Sequence, residues 1–287
     1  MAEERPPNRR TLTLTGEKEE RVSKQRSRTI SGLSAVGALF KQRPDSVQRL
    51  FYDEKLIPQL GPWCALMAKN RRPYRMVPQE ELAKISGTVL HGGIVAVADT
   101  LEIQNFNRET PRLLSTHAPV LFVLDGIGNP QNLGAIARTL AFYGHRYLGI
   151  SDHPQQTGLS DAAYRIAEGG LEYLSLIRFP RLRETLSSLK PDFKIIGTTL
   201  GHQGLPPEAF QDEPKNRIIL LGNEESGLPE ATLRICDALI TLQGTGSIQS
   251  LNVSATAAIL AHGFTKKGPL KKTERARVHH RRDNKKS

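Results

Sequence analysis

The sequence predicts an α/β protein with a mostly parallel sheet, and two observations predict this fold class. Apolar runs of strand length alternate with helix-like segments along most of the chain. This alternation is typical of a parallel sheet that is covered by helices. The run at residues 120–124 is apolar without interruption, as expected for a strand that is buried on both faces of such a sheet.

A first, smaller unit is predicted over residues 30–98, after a charged N-terminal segment. Residues 1–29 contain Pro6 and Pro7 and show no periodicity, so we expect a disordered tail there. Within the unit, segments with helical spacing alternate with short apolar runs. The predicted helices cover residues 30–40, 56–70 and 79–86, and the predicted strands cover 47–52, 74–77 and 94–98.

A second, larger unit is predicted over residues 119–264. Residues 99–118, between the two units, are polar and irregular, so we expect a linker with about one helical turn. The alternation of strand and helix then continues to the end of the unit. Strands are predicted at 120–124, 146–150, 171–177, 193–198, 217–221 and 238–242, and helices at 132–143, 161–167, 181–189 and 250–262.

The basic character of the chain lies in its ends. The net charge is +11, and residues 266–287 carry ten Lys or Arg against two acidic residues. A basic segment suits nucleic acid, because each cation that neutralises a phosphate releases a counterion. A solvated tail that only aids solubility explains the charge equally well. Residues 265–287 are therefore predicted to form a basic disordered tail.

Composition argues against several functional classes. No run approaches the ~18 apolar residues of a membrane-spanning helix, and the N-terminus has no apolar signal region. Cys64 and Cys236 lie far apart without metal-ligand spacing, which fits a reducing compartment. The histidines are scattered. We expect a cytoplasmic protein that uses neither a membrane nor a metal.

Three polar, glycine-marked clusters follow apolar runs of the larger unit. They cover residues 129–138, 222–228 and 250–254. Ligands of open parallel sheets bind at the carboxyl ends of the strands, so the clusters predict one pocket that is built from three loops. Each cluster alone also fits ordinary structural roles. The role of helix cap fits Asn132, Ser250 and Asn252. An exposed helix position fits Arg138, and turn positions fit Gly222 and Gly227.

Competing nucleotide motifs are absent from the sequence. There is no GxxxxGKS loop for a nucleoside triphosphate. The pair Gly244 and Gly246 comes nearest to a dinucleotide fingerprint, but it lacks both the third glycine and an acidic partner about 20 residues further on.

The three clusters resemble the three motifs of the SpoU/TrmH family of RNA ribose methyltransferases, which belongs to the SPOUT superfamily. The resemblance covers about residues 119–264, with weaker support over 30–98. The patterns N-x-G-x-x-x-R, G-x-E-x-x-G and S-L-N-V-S match, in order, Asn132, Gly134 and Arg138; Gly222, Glu224 and Gly227; and residues 250–254.

The resemblance implies a SPOUT α/β domain with a trefoil knot, preceded by a small L30e-like domain that binds the RNA substrate. It also implies a homodimer that methylates a ribose 2′-hydroxyl of tRNA or rRNA with S-adenosylmethionine. The matching catalytic positions are Arg138, Asn132, Glu224, Ser250 and Asn252. The matching cofactor positions are Thr198, Thr199, Leu200, Gly222, Leu242, Gly246 and Leu251.

Arginine is a poor base because it stays protonated in proteins. We therefore expect Arg138 to grip an RNA phosphate and to stabilise the oxyanion that develops, while the proton leaves through phosphate or water. The other four catalytic positions are expected to orient Arg138 and the ribose.

Two departures from the family pattern stand out. Leu242-Gln243-Gly244 replaces the usual Ile-Pro-Met sequence, and Ala167-Glu168-Gly169-Gly170 stands where many members have a serine-containing turn. Such changes are typical of a divergent tRNA/rRNA methyltransferase subgroup of proteobacteria. They leave open an alternative, namely an RNA-binding or ribosome-assembly factor that keeps the scaffold with weak or no activity.

Overall fold

The N-terminal part of the structure, a computed structural model that describes residues 27–200 and 204–265, is built on a small mixed sheet. Its strands have the order β1-β4-β2-β3, in which β4 is antiparallel to both neighbours and β2 is parallel to β3. The strands are β1 (Ser27–Ser31), β2 (Val47–Tyr52), β3 (Tyr74–Met76) and β4 (Ile94–Asp99). The helices are α1 (Leu33–Gln42), α2 (Ile57–Lys69) and α3 (Gln79–Ser86).

The remaining part is built on a seven-stranded, fully parallel sheet. Its strands, in chain order, are β5 (Ile103–Asn105), β6 (Val120–Asp125), β7 (Tyr147–Ser151), β8 (Ser175–Phe179), β9 (Phe193–Thr198), β10 (Asn216–Gly222) and β11 (Ala238–Ile240). Across the sheet their order is β11-β9-β10-β6-β7-β8-β5. The helices are α4 (Thr110–His117), α5 (Pro130–Phe142), α6 (Asp161–Ala167), α7 (Leu182–Leu189), α8 (Glu230–Leu233) and α9 (Val253–Phe264).

The two central strands, β6 and β10, are buried on both faces. Phe122 and Ile219 point into a core shared with α5 and α9, whereas their neighbours Leu121 and Ile218 point into a second core that contains α7. Successive side chains of a strand point to opposite faces, so a strand covered on both sides must be apolar at every position. The uninterrupted run at residues 120–124 is therefore a central strand, and the prediction of a mostly parallel α/β sheet is confirmed.

The small sheet packs directly against the parallel domain. One continuous apolar core includes side chains from both, such as Leu39 and Leu171. The guanidinium of Arg43, just after α1, donates to both carboxylate oxygens of Glu172, at 2.6 and 3.0 Å. Only 1% of the Glu172 side chain is exposed. A buried ion pair thus joins the two parts of the molecule.

Two expectations near the domain boundaries are wrong. The sequence predicts a tail at residues 27–29 and a helix from Ile30, but all four residues lie in β1, which pairs with β4 along its whole length. Residues 99–118 were expected to be a linker with about one helical turn, yet they include the end of β4, β5 and the two-turn helix α4. Strands β1 and β5 form by pairing with segments that are distant in the chain, and the local sequence does not predict such pairing.

Two further element boundaries and one additional helix differ from prediction. The strand expected at 171–177 begins only at Ser175, because a short 3-10 helix occupies Gly170–Tyr173. The last helix begins at Val253 rather than at residue 250. The short helix α8 was not predicted. The predicted tails, apart from residues 27–29 and Thr265, lie outside the described residues.

Candidate functional site at the carboxyl ends of the strands

Helix α5 carries the first polar cluster, and its start decides the role of Asn132. Asn129 is the N-cap, since its side-chain oxygen accepts from the Gln131 amide at 2.8 Å, and Pro130 follows as the first helical residue. Asn132 is therefore not a cap, and the simpler reading of this residue as a cap is wrong. It lies within the first turn and is buried, with its side chain free to reach the other loops.

The Asn132 amide joins all three clusters. Its nitrogen donates to Glu224 Oε1 at 2.5 Å, and its oxygen accepts from the Asn252 amide at 3.1 Å. Asn252 is at the same time the N-cap of α9, accepting from the Ser254 backbone N–H at 2.8 Å. Segments more than a hundred residues apart thus meet in one hydrogen-bonded row. A buried amide that both donates and accepts fixes the relative position of the loops.

The second cluster folds as a tight loop after β10. Asn223 and Gly227 exchange both backbone hydrogen bonds at 3.0 Å, and Gly227 has a φ of +71°. The Asn223 side-chain oxygen accepts from the amides of Glu225 and Ser226, and its nitrogen donates to the Gly126 carbonyl at 2.9 Å. Sequence reasoning missed Asn223. Its signal was available, because Asn at the start of a glycine-closed turn is typical of an Asx turn.

A cavity of about 250 Å³ opens beside this row, at the ends of β9, β10 and β11. Its lining includes six of the seven residues expected to contact the cofactor, and also two of the expected catalytic residues, Glu224 and Ser250. The six are Thr198, Thr199, Leu200, Gly222, Leu242 and Leu251. Residues that sequence reasoning did not select also line it, among them Ser226, Leu228, Gln249 and Thr256.

Four of the catalytic and cofactor residues predicted from the sequence do not line the cavity. Asn132 and Asn252 stand behind Glu224, in the hydrogen-bonded row. Gly246 is exposed, in the segment between β11 and α9. Arg138 faces away, because six residues separate it from Asn132 and a helix turns by about 100° per residue, which places the two side chains about 120° apart.

The guanidinium of Arg138 forms an ion pair with Glu168. The Arg138 Nη1 atom lies 2.8 Å from Glu168 Oε1, and more than half of each side chain is exposed. Glu168 belongs to the turn that departs from the family pattern. It ends α6 with a left-handed backbone, φ +45°. The single chain therefore does not bring Arg138 to Glu224, Ser250 and Asn252.

The thiol of Cys236 lies close to the site but is not suited to act as a nucleophile. Burial raises the pKa of Cys236 to about 12, the charge of Asp237 adds to the rise, and Lys190 opposes it. The thiol donates to the Thr232 carbonyl at 3.3 Å. A neutral, hydrogen-bonded thiol is a poor nucleophile, so Cys236 acts as a packing residue behind β9.

Metal and membrane features are absent from the part of the chain that the structure describes. Within residues 27–200 and 204–265 there is no group of three His, Cys, Asp or Glu side chains with a metal-binding arrangement. Over the same residues, every helix is too short or too polar to cross a bilayer.

Fold and site together define a class of protein: a parallel α/β domain with a cavity formed by three motif loops, joined to a small mixed α/β domain. Comparison with protein families agrees with both parts. Residues 119–262 match the SpoU rRNA methylase family, and residues 29–104 match the domain described as RNA 2′-O ribose methyltransferase substrate binding. The chain belongs to the SpoU rRNA methylase family.

Curated relatives carry related names. An uncharacterized tRNA/rRNA methyltransferase of Haemophilus influenzae is 30% identical over 259 residues, which is 88% of this chain and 71% of that protein. The tRNA/rRNA methyltransferase YfiF of Escherichia coli, also uncharacterized, is 30% identical over 80% of this chain, and the match spans 66% of YfiF. The 23S rRNA (guanosine-2′-O-)-methyltransferase RlmB of Acinetobacter baylyi is 29% identical over 79% of this chain and 92% of RlmB.

Solved structures share the fold. An rRNA methyltransferase from Sinorhizobium meliloti superposes with a TM-score of 0.68 and 19% identity, over 84% of this chain and 87% of that one. The AdoMet-bound form of that protein superposes equally well, over 85% and 89% of the two chains. The SpoU methyltransferase AviRb from Streptomyces viridochromogenes gives a TM-score of 0.66 at 19% identity, over 85% of this chain and 90% of AviRb.

Proposed function

We propose that this chain transfers a methyl group from S-adenosylmethionine to a ribose 2′-hydroxyl of tRNA or rRNA. The observation that carries the proposal is the hydrogen-bonded row of Asn132, Glu224 and Asn252 beside a cavity lined by the expected cofactor residues. The relatives named as guanosine-2′-O-methyltransferases support the reaction type. The comparisons give no support to the alternative of a scaffold without activity.

The residues around the cavity fit the proposed cofactor. Apolar Leu200, Leu228 and Leu242 stand beside hydroxyl groups such as that of Ser226, the mixture that suits a nucleoside. A side chain at Gly222 would place its Cβ 2.4 Å from the main chain of Gly227, so only glycine lets the loop fold back over the strand end. When bound, S-adenosylmethionine supplies an electrophilic methyl group on a sulfonium centre.

The polar row has a positioning role in the proposed reaction. One oxygen of Glu224 is held by the Asn132 amide, which fixes the carboxylate at the cavity wall. From there Glu224 and Ser250 orient the ribose hydroxyl, and Asn252 holds Asn132 in place. Holding the reacting hydroxyl in one geometry supplies much of the rate of a group transfer.

Arg138 stays protonated and binds an RNA phosphate, and it reaches the reaction centre from a second copy of the chain. Phe142, one turn further along the same face of α5, is 81% exposed, and Ile259 of α9 is also exposed. The Tyr143 hydroxyl and His262 Nδ1, 3.2 Å apart, link the two helices beside this apolar surface. An exposed apolar surface next to Arg138 supports a homodimer that buries it.

The proposed fold of the parallel domain includes a trefoil knot. Ile240 of β11 pairs with Thr198 of β9 on one side and with Leu205 on the other. Thr198 and Leu205 are close in the sequence, and β11 lies between them, which supports a threaded arrangement. A Cβ at Gly204 would lie 2.2 Å from Thr241 Oγ1, which shows how closely the two segments pass.

The proposed RNA-binding parts are the small L30e-like domain and the basic tail at residues 266–287. The match of residues 29–104 to a substrate-binding domain supports the first, and ten Lys or Arg in the tail support the second. We also propose that the protein works in the cytoplasm, where its RNA is. Removal of residues 266–287 is expected to weaken RNA binding and to reduce its dependence on salt.

Two variants that add a methyl group at a glycine test the cofactor site by titration calorimetry with S-adenosylmethionine. Gly222→Ala is expected to lose affinity, because its Cβ collides with Gly227 and Leu228. Gly158→Ala is the matched control, because a Cβ there meets nothing within 4 Å. Thermal melts show whether both variants are folded. Absence of binding by the parent protein at millimolar cofactor would contradict the proposal and favour the scaffold alternative.

A Phe142→Glu variant tests the homodimer. A carboxylate in the apolar surface is expected to give a monomer in light-scattering measurements, with cofactor binding retained and methyl transfer lost. A monomeric parent protein that is fully active would show instead that Arg138 acts within one chain or does not act at all.

A further inference from the structure

The turn at Glu168 is held rigidly against the helix that carries Arg138. A Cβ at Gly170 would lie 2.7 Å from the Arg138 Cα atom, and a Cβ at Gly169 would lie 2.6 Å from the Ala38 Cβ atom. The turn therefore packs closely against both α5 and α1. This packing sets the position of the turn's backbone, and hence of the Glu168 Cα atom, relative to the helix that carries Arg138.

The backbone at Glu168 is unfavourable for a residue with a side chain. Its φ is +45°, and it ends α6 in the left-handed conformation that glycine adopts most easily. A glycine would be more stable at this position, since a non-glycine residue there is strained. The stability of the turn therefore does not explain a glutamate at this position.

The ion pair itself also contributes little to stability. Both side chains are more than half exposed, and exposed ion pairs are weak and screened by salt. The pair does, however, occupy part of the guanidinium, because Arg138 Nη1 lies 2.8 Å from Glu168 Oε1. The other N–H groups of the planar fork remain available for a phosphate.

We propose that Glu168 is a positioning residue that holds the Arg138 guanidinium in one orientation and lowers its attraction for phosphates in general. This inference rests on the proposed function, in which Arg138 binds an RNA phosphate. The carboxylate orders an exposed side chain before RNA arrives, which favours the reaction step. It also partly neutralises the charge of Arg138, which weakens indiscriminate binding of RNA.

The two effects change KM for RNA as well as kcat, and a general loss of structure does not change KM. In Glu168→Gln the guanidinium loses the neighbouring negative charge and gains conformational freedom. KM for RNA is expected to fall and kcat is expected to fall as well, each by up to about fivefold, the range set by an exposed ion pair. A merely structural role would lower the amount of active protein and leave KM unchanged.

The assay measures transfer of labelled methyl groups from S-adenosylmethionine to bulk RNA from a strain that lacks the gene, with the full-length protein. Glu168→Gly is expected to match Glu168→Gln in KM and kcat and to melt at a higher temperature, because glycine relieves the strained backbone. Glu168→Asp is expected to lie between these variants and the parent. Glu184→Gln, at an exposed carboxylate on α7, is the control with the same change in net charge.

The possible outcomes separate this inference from the function on which it rests. Glu168→Gln with the kinetic constants of Glu184→Gln, alongside an inactive Arg138→Ala, would overturn the role of Glu168 and leave the proposed function intact. A fully active Arg138→Ala would overturn the roles of both Arg138 and Glu168, whereas a parent protein that transfers no methyl group to RNA would overturn the proposed function. A lower KM and a lower kcat in Glu168→Gln and Glu168→Gly, despite their different melting temperatures, would support the inference.

Discussion

Two ion pairs that involve one short segment of the chain differ in almost every physical respect. Glu172 pairs with Arg43 across the junction of the two sheets, with 20% of the arginine side chain and 1% of the glutamate side chain exposed. Glu168, four residues earlier, pairs with Arg138 with 56% of the arginine and 52% of the glutamate side chain exposed. Both pairs join an arginine to a glutamate, so burial is the property that separates their roles. A buried pair fixes architecture, whereas an exposed pair can be broken by an incoming phosphate.

The largest effect on stability is expected from breaking the buried pair. Arg43→Ala leaves the Glu172 carboxylate buried without its partner, which costs about 3–5 kcal/mol. The unfolding midpoint in urea measures this loss. Arg234→Ala is the matched control, because its pair with Glu230 is exposed on both sides. A loss for Arg43→Ala no larger than that of the control would remove the distinction between the two kinds of pair.

A smaller loss of stability, with a large loss of activity, is expected from the polar row at the cavity. Asn132→Ala leaves Glu224 and Asn252 without their shared partner, which costs about 1–3 kcal/mol. Methyl transfer per folded molecule is expected to fall by about a hundredfold or more, since a misplaced group near the chemistry has such effects. Asn129→Ala is the control, because it loses a helix cap, worth about 1 kcal/mol, and keeps the row. Equal activities of the two folded variants would contradict the assigned role.

Burial also sets the charge state of His145, and this gives a pH dependence. Burial lowers the pKa of His145 below its usual 6.5, while a contact with the Val120 carbonyl opposes the shift. The folded state therefore binds the proton less readily than the unfolded state. The neutral imidazole of His145 therefore makes its full contribution to stability above about pH 6.5. This contribution is lost as the pH falls towards the lowered pKa of the folded state.

The urea midpoint measures this effect between pH 7.5 and 5.5. The parent protein is expected to lose stability by at most about 1.4 kcal/mol for each unit of the pKa shift. His145→Gln removes the titrating group, so the variant is expected to show a smaller loss over the same range. Identical losses in the two proteins would show that other groups govern the pH dependence.

The smallest change in stability and one of the clearest changes in activity are expected from the exposed pair. Arg138→Ala costs less than about 1 kcal/mol, because its partner Glu168 remains solvated. Cofactor affinity is expected to stay at the parent value, since Arg138 does not line the cavity, and methyl transfer is expected to be lost. Calorimetry and the labelled transfer assay measure the two properties separately. Unchanged methyl transfer would refute the role of the arginine.

The sequence predicts best what depends on local pattern. The central strand at residues 120–124 could be predicted because a doubly buried strand must be apolar throughout, and the three loops could be predicted because each follows such a run. The strand and the loops require only neighbours in the chain and the general rule for parallel sheets. The cavity residues came instead from the family resemblance, which also supplied positions outside the three loops, such as Thr198 and Leu242.

Sequence reasoning failed where distant pairing decides the structure. The short, polar strand β1 resembles a tail until its pairing with β4 is known. Either Asn129 or Asn132 fits the helix cap by residue type. Proline favours the first helical position, so Pro130 could have identified Asn129 as the cap. The contact of Arg138 with Glu168 joins two helices and has no local signature. Its outward direction, by contrast, could have been derived from the six-residue spacing.

The central claim is that three distant loops hold a methyl donor against a ribose hydroxyl, and alkaline hydrolysis of labelled RNA tests it most directly. The purified protein is incubated with methyl-labelled S-adenosylmethionine and RNA from a strain that lacks the gene, and the RNA is then hydrolysed with alkali. Because alkaline cleavage needs a free 2′-hydroxyl, label in alkali-resistant dinucleotides is the result we expect. Label in mononucleotides alone, or none in RNA, would contradict the account.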